Sequence, residues 1–193
     1  MSPTTVRRGQ LLLAKLGSRS KKNAAIASLI DASELPGTGW VQRSQNAWRT
    51  GTLGKSGPAG KRAHDEGLFT AVRSFEQTTT GSWLVDQVTK FVSPEDALLA
   101  VREFSVSTMW ANPRFTGAHL DEQETPGFEV SGADSVRAFE WRTEGPDGIA
   151  FMRLICSAVG PAWILVNSYR TDRFWNWDEL ARILAQHSSK HHD

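Results

Sequence analysis

Apolar and polar residues alternate along several short segments of the chain, which predicts β-strands separated by turns. Successive side chains of a strand point to opposite faces, so a period of two indicates a half-buried strand. Turn-forming runs such as Thr78–Gly81 and Glu144–Gly148 separate the segments. The pattern predicts strands over residues 40–49, 68–77, 83–92, 136–143, 149–158 and 162–170. The last two are the most apolar, so we expect them to form the centre of the sheet.

The same alternation predicts which side chains share a face. The sets expected on one face are Trp40 with Trp48, Phe69 with Ala71 and Phe75, Trp83 with Val85 and Phe91, and Phe139 with Trp141. The residues between the first two tryptophans are polar, which favours an edge strand or a solvent-facing strand there.

Three segments have the apolar spacing of helices. Ser93 is a good N-cap, Pro94 suits the first helical position, and acidic residues follow, so the pattern predicts a helix over 94–105. A short helix over 23–30 should end before Leu35–Gly37, because proline disfavours helical geometry at the preceding residue. A closing helix begins near Trp177 and carries an apolar stripe.

The order of these elements predicts an α+β domain with an antiparallel sheet of about six strands flanked by helices. The length of 193 residues fits one domain. We expect it to span residues 23–193, after a basic arm over residues 1–22. Residues 50–67 contain five glycines and predict a long loop, and residues 111–135 show no readable pattern.

The basic arm is the strongest charge feature of the sequence. Residues 1–30 contain no acidic residue, and their basic residues are Arg7, Arg8, Lys15, Arg19, Lys21 and Lys22. Such an arm favours an anionic partner, a phosphate backbone or a lipid surface, although it could equally be a solvated terminus. The rest of the chain has more acidic than basic side chains, which argues against a large nucleic-acid footprint.

No apolar run is long enough for a secretory signal or a transmembrane segment. The sequence therefore predicts a soluble protein in the cytoplasm.

Candidate catalytic and metal-binding groups do not form a coherent site. Gly51–Ser56 ends like a phosphate-binding P-loop, but Arg49 stands where the motif needs its first glycine.

Cys156, the only cysteine, lies in an apolar segment and is expected to be a small buried hydrophobe. His187 and His191, with Asp193, could hold a metal if the last helix continued, but their place at the C-terminus favours a solvated tail. We therefore predict no catalytic residue, no cofactor and no metal.

The chain has eight tryptophans and a single tyrosine. A tryptophan carries a large apolar ring with one N–H donor, so it belongs in a core or at an interface. Four lie on apolar faces and are expected in the core: Trp83, Trp141, Trp163 and Trp177. The other four lie at segment ends or on polar strands, and with two nearby arginines they are the predicted binding residues: Trp40, Trp48, Arg49, Trp110, Arg114 and Trp175.

Three segments carry a family resemblance: a short helix leading into Leu35–Trp40, the helix start at Ser93–Ala97, and the final hairpin with its helix. Together they resemble the PsbP-like α+β domains, particularly the branch found in actinobacterial lipoproteins and kinase sensors. The resemblance implies an antiparallel sheet flanked by helices and a binding or sensing role without catalysis. The chain differs from that branch in that no export signal or lipid-anchor cysteine is recognisable.

The sequence thus predicts a non-enzymatic module that recognises a protein or small ligand through its sheet face or residues 50–67. One alternative is a small α+β enzyme or ligand carrier with a tryptophan-lined pocket. Another is a peripheral nucleic-acid or membrane binder that acts through the basic arm.

Overall fold

The computed structural model describes residues 17–50, 57–106, 118–145 and 148–191, with the backbone alone at residues 118–122. The strands of this part of the chain are β1 (Trp40–Arg49), β2 (Phe69–Gln77), β3 (Ser82–Lys90), β4 (Ala118–Thr125), β5 (Ser135–Gly145), β6 (Gly148–Val159) and β7 (Ala162–Arg170). Its helices are α1 (17–27), α2 (Pro58–Asp65), α3 (Pro94–Glu103) and α4 (Trp177–Ser188). Short 3₁₀ segments occur at Ala32–Glu34 and Ser189–His191.

The strands form one antiparallel sheet in the order β1-β2-β3-β7-β6-β5-β4. The predicted α+β class is confirmed, and β6 and β7 pair next to each other at the centre. The sheet has seven strands in the described residues rather than about six. The additional strand, β4, has a polar sequence without hydrophobic alternation, as is common for an edge strand, so its pattern did not reveal it.

Helices pack on both faces of the sheet. On one side, called here the α1–α4 face, Ile155 and Val159 of β6 pack with buried residues of α1 and α4. On the other side, the α2–α3 face, Leu154 and Cys156 pack with buried residues of α2 and α3. Because β6 and β7 are buried on both faces, they read in the sequence as nearly continuous apolar runs.

Two predicted helices form where their start signals lie. The helix predicted over 94–105 is α3, and the Ser93 hydroxyl accepts a hydrogen bond from the Asp96 amide at 3.3 Å. The closing helix α4 starts after Asn176, whose side-chain oxygen accepts from the Asp178 amide at 2.9 Å. These side chains satisfy amides that have no partner within the first turn. Helix α1 includes residues 17–22, which the sequence assigned to the basic arm.

The prediction of a loop over residues 50–67 is wrong for residues 58–65, which form α2. Pro58 is the first helical residue, a position where its missing N–H costs no hydrogen bond. Ala59 and Ala63 lie one turn apart and are fully buried against α3 and the sheet. Burial of this small apolar stripe stabilises the helix despite its glycine content.

The prediction that Trp40 and Trp48 share a face is also wrong. The pairing of β1 with β2 shifts by one residue between Gln42 and Ser44, which is a β-bulge. A shift of one residue moves all later side chains to the other face. Trp40 therefore packs on the α1–α4 face, whereas Trp48 stands opposite Thr70 and points to the α2–α3 side.

The buried face of β3 is the reverse of the predicted one. Leu84, Asp86 and Val88 are buried on the α1–α4 face, while Trp83 and Val85 on the other side are partly exposed. The third residue of the predicted set, Phe91, follows the strand and is buried in the α2–α3 core. The buried face carries the carboxylate of Asp86, a residue type that is rarely buried without a partner, so alternation alone did not identify this face.

Asp86 is fully buried, and the partners of its side chain come from two helical elements. One carboxylate oxygen, Oδ2, accepts from the amide of Ile30 at 2.9 Å, in the segment after α1. The other, Oδ1, lies 3.0 Å from Nδ1 of His187, a fully buried residue of α4. The other ring nitrogen of His187, Nε2, lies 2.6 Å from the carbonyl oxygen of Ser28. One buried carboxylate thus joins the sheet to α4 and to the end of α1.

Charged side chains surround this pair. Arg73 stands opposite Asp86 on β2 and donates to the Ile30 carbonyl and to Asp31. At the rim, Lys190 lies 2.6 Å from the Glu34 carboxylate. Burial alone would raise the pKa of Glu34, but hydrogen bonds from Lys190 and the Asp31 amide, with the charge of Lys190, hold that pKa below its ordinary value.

The C-terminal histidines do not form the solvated tail expected from the sequence. His187 and His191 are both buried, and their ring centres lie 5.2 Å apart. The last helix continues to Ser188 and the chain goes on as a 3₁₀ turn, so both rings reach the core side of the helix. The spacing of four residues that suggested a metal site instead places both rings on one helical face.

The buried pair predicts a large difference between two substitutions. Asp86→Ala leaves the His187 ring without its carboxylate partner in the core, so we expect a loss of about 3–5 kcal/mol in the free energy of unfolding. The exposed Arg43–Glu76 pair provides the control, because Arg43→Ala should cost less than about 1 kcal/mol. Urea unfolding followed by tryptophan fluorescence measures both. Equal losses would show that the buried pair does not hold this face together.

Candidate ligand-binding cleft

An open cleft lies on the α1–α4 side, where the end of the β1–β2 hairpin meets α1 and the turn after α2. Its volume is about 290 Å³, near the lower end of the range for small-molecule sites. The described residues that line it are Gly17, Ser18, Lys21, Arg49, Gly67 and Phe69.

Two cations of the cleft are held by the C-terminal end of α2. Arg49 donates from Nε and Nη2 to the carbonyl oxygen of His64, at 3.1 and 2.9 Å. The ammonium group of Lys21 donates to the carbonyl oxygen of Glu66 at 3.0 Å. Carbonyls at a helix C-terminus have no partners within the helix and carry partial negative charge, so they attract cations. These contacts attach both α1 and β1 to α2.

Gly67 makes the turn that brings α2 back to the sheet. Its φ angle of +68° lies in the left-handed region, which L side chains adopt only with strain. The Gly67 amide donates to the His64 carbonyl at 3.0 Å, and the Leu68 amide donates to the Ala63 carbonyl at 2.9 Å. This pair of bonds is the Schellman motif, which ends a helix and starts the next segment in a fixed direction. Phe69 then begins β2 directly opposite Arg49.

The charged side chains among the described lining residues of the cleft are all positive. Lys21 and Arg49 are both exposed, and no acidic side chain is among the described residues that line the cleft. The carbonyl contact of Lys21 uses one of the three donors of its ammonium group. Phe69 is partly buried and adds an apolar wall. The arrangement can receive a small group with negative charge and an apolar part.

The structure separates the residues predicted to bind. Arg49 lines the cleft, and its neighbour Trp48 is partly exposed on the opposite face of the sheet. Trp40 is partly buried, and its ring centre lies 5.6 Å from that of Trp175. Trp110 and Arg114, the other two predicted residues, lie outside the described residues, as does the P-loop-like segment 51–56.

The burial of Trp175 differs from the predicted division of the tryptophans into surface and core residues. Its side chain is only 4% exposed and belongs to the α1–α4 core, because the chain turns inward before α4. Trp141 is buried as predicted. Among the tryptophans expected in the core, Trp83, Trp163 and Trp177 are partly exposed.

Of the six described lining residues, the sequence predicted Arg49 as a binding residue and Lys21 as part of the basic arm that favours an anionic partner. The other four were not predicted to bind: Gly17 and Ser18 lie in the arm, Phe69 was assigned to an apolar strand face and Gly67 to a loop. The usable signal lay in α2, since Pro58 at its start and Gly67 after its end are the usual terminal residues of a helix. With α2 recognised, the direction of the turn at Gly67 becomes predictable.

The thiol of Cys156 lies in the core of the folded protein. It is fully buried, and the Trp163 Nε1–H donates to Sγ at 2.9 Å. Burial raises the pKa of the Cys156 thiol to about 12, against smaller opposing contributions from Trp163 and Arg137. Nucleophilic chemistry needs the thiolate, so Cys156 is a core residue. In the described part of the chain, no group of three His, Cys, Asp or Glu side chains is arranged to hold a metal ion.

Comparison with known proteins gives a match at the level of the fold. No protein-family model and no curated protein matches the sequence. Among solved structures, the fold is similar to the extracellular domain of PknH from Mycobacterium tuberculosis, with a TM-score of 0.54 and 12% sequence identity. The alignment covers 88% of this chain and 95% of that domain.

This comparison contradicts the cytoplasmic location expected from the sequence, because the matched domain is extracellular. The expectation depended on the lack of a recognisable leader, which says nothing about the location of the folded domain. None of the helices in the described ranges is long and apolar enough to cross a membrane.

Burial of Cys156 predicts that iodoacetamide does not modify the native protein. In urea, the same reagent should add one adduct per chain, since the sequence has one cysteine. Intact-mass spectrometry measures both states. Rapid modification of the native protein would contradict the burial and the raised pKa.

The left-handed turn at Gly67 predicts that Gly67→Ala lowers the free energy of unfolding by about 1–2 kcal/mol. Space is not the cause, since the nearest atom to an added Cβ is Arg49 Nη2 at 3.7 Å. Gly67→Asn is the matched control, because asparagine tolerates this conformation better and should lose less. If the two variants unfold at the same urea concentration, the backbone conformation of Gly67 is not the determining factor.

Proposed function

We propose that the protein is a non-enzymatic binding module whose cleft between α1, α2 and the β1–β2 hairpin takes a small anionic group. The observation that supports this proposal is the pairing of two exposed cations with an aromatic wall around an open volume of about 290 Å³. Binding sites of this size commonly combine apolar walls with a few polar groups that set the orientation of the ligand.

The chemistry of the lining residues favours a carboxylate or phosphate group. Arg49 adds a delocalised positive charge at the cleft, and Lys21 adds a compact charge with rotatable donors. Both side chains are already oriented by carbonyls of α2, so little side-chain entropy is lost when a ligand binds. The ligand can be a free small molecule or an acidic side chain of a partner protein.

The enzyme alternative has less support among the described residues. The potential nucleophile Cys156 is buried in the α2–α3 core. The imidazole of His187 is buried against Asp86, away from the cleft. Neither group can reach a bound ligand, which favours recognition over catalysis.

Membership of the PsbP-like domains is part of this proposal. Its support is the antiparallel sheet with helices on both faces and the fold shared with the extracellular domain of PknH. A role in binding or sensing, without catalysis, is consistent with this fold and with the structural match.

The test uses the full chain and two probes, inorganic phosphate and succinate, titrated at low ionic strength. Amide ¹H–¹⁵N spectra should show saturable shifts at Ser18, Gly67 and Phe69, because these residues line the cleft. Lys21→Gln and Arg49→Gln should each weaken binding about tenfold, the equivalent of about 1.4 kcal/mol.

Arg43→Gln is the matched control, since Arg43 is an exposed arginine of the same strand outside the cleft. It should leave binding unchanged. Because Arg49 and Lys21 also attach β1 and α1 to the end of α2, the urea unfolding of both variants is compared with that of the native protein. Shifts that lie elsewhere, or equal affinities for all three variants, would overturn the proposal.

A further inference from the structure

A second surface with the character of a binding site lies on the opposite side of the sheet. It consists of Trp83, Val85 and Gln87 of β3 with Asn167 and Tyr169 of β7, and is called here the β3–β7 platform. The two strands are direct neighbours, with Trp83 opposite Tyr169 and Val85 opposite Asn167. Side chains at such opposite positions stand about 5 Å apart at Cβ, so the five residues form one continuous patch.

The platform is partly open. Trp83, Val85, Gln87 and Tyr169 are all partly exposed, although β3 and β7 are interior strands of the sheet. Aromatic residues with a polar atom at one end favour interfaces, where the ring is covered and the polar end finds a partner.

Asn167 gives the second, independent observation. Its side chain is 2% exposed, and its Oδ1 atom has no hydrogen-bond partner in the described residues. It points to the same face as Tyr169, two positions further along β7. Buried amide oxygens are nearly always paired, and an unpaired one destabilises the folded protein. A buried polar group without a partner calls for an explanation, and functional sites are where proteins break such rules.

The charge of the platform restricts the ligand. None of the five side chains is ionisable near neutral pH, and the nearby Glu76, opposite Trp83, is paired with Arg43 at 2.7 Å. A charged ligand would find no counter-charge on the platform itself. Amides and a phenol both donate and accept, which suits hydroxyl groups that do the same.

We infer that the β3–β7 platform binds a neutral, polyhydroxylated ring ligand, such as a sugar unit of an oligosaccharide. The apolar face of the sugar ring covers Trp83 and Tyr169, and its hydroxyl groups pair with Asn167 and Gln87. This site lies on the other side of the sheet from the cleft, so it does not depend on the function proposed above.

Tyr169 allows a direct test, because it is the only tyrosine of the chain. Incorporation of 3-fluorotyrosine gives one ¹⁹F resonance that reports on the platform. The probes are linear glucose, mannose and galactose oligosaccharides, titrated separately, with uncharged nucleosides and an uncharged peptide in parallel. A saturable shift with at least one oligosaccharide is the expected result. A shift with the nucleosides or the peptide alone, or with none of the probes, would overturn the inference.

Asn167→Leu separates a binding role from a structural one. Removal of the buried amide with its unpaired oxygen should raise the midpoint of thermal unfolding, while oligosaccharide affinity should fall about tenfold with the loss of one hydrogen bond. Unchanged affinity, or a lower unfolding midpoint, would show that the amide does not serve the ligand.

Two further variants complete the design. Trp83→Leu should weaken oligosaccharide binding with a small effect on stability, because Trp83 is partly exposed. Gln42→Leu changes an exposed residue of β1 on the α1–α4 side and should alter neither quantity. Equal affinities of these two variants would count against the platform, and Lys21→Gln, a change in the cleft, should leave the ¹⁹F titration unchanged.

Discussion

Asp86 projects from the middle of the sheet into the α1–α4 core, where it has no contact with water. A buried carboxylate is costly unless charge and hydrogen bonds compensate it. Its compensating groups are the Ile30 amide after α1 and the His187 ring on α4. The carboxylate has both contacts only when the two helical elements are in place. The positions of α1 and α4 along the sheet therefore depend on one residue of β3.

The features that could be predicted from the sequence are those set by local chemistry. Burial on two faces gives β6 and β7 their apolar runs, and the Ser93 hydroxyl caps α3 wherever that segment folds. The features that were missed depend on partners distant in the chain. The bulge in β1 is a property of its pairing with β2, so alternation alone could not separate Trp40 from Trp48. The burial of Asp86 could not be predicted, because its partner His187 lies on the last helix, far away in the sequence.

The candidate cleft was predictable only in part, and for the same reason. Arg49 was predicted as a binding residue because it is a cation next to a tryptophan in the sequence. The other lining residues come from α1, β2 and the turn after α2, which are separate segments of the chain. Tertiary structure alone brings these elements together. Trp175 was misjudged because a place at the end of a segment does not determine exposure, which in this case is set by packing against Trp40. Composition indicated that the tryptophans belong in a core or at an interface, without showing which of them are exposed.

Two structural relations connect the buried pair with the proposed sites. Helix α1 runs from residue 17 at the cleft to residue 27, a length of about 15 Å at 1.5 Å per residue. The next residue, Ser28, contacts the His187 ring through its carbonyl oxygen. One end of α1 is thus attached to the core while the other forms a wall of the cleft. In β3, Asp86 lies between Val85 and Gln87, and alternation sends these neighbours to the platform on the opposite face. The carboxylate that positions α1 therefore also fixes the backbone from which the platform projects, and a preorganised surface loses less entropy when a ligand binds.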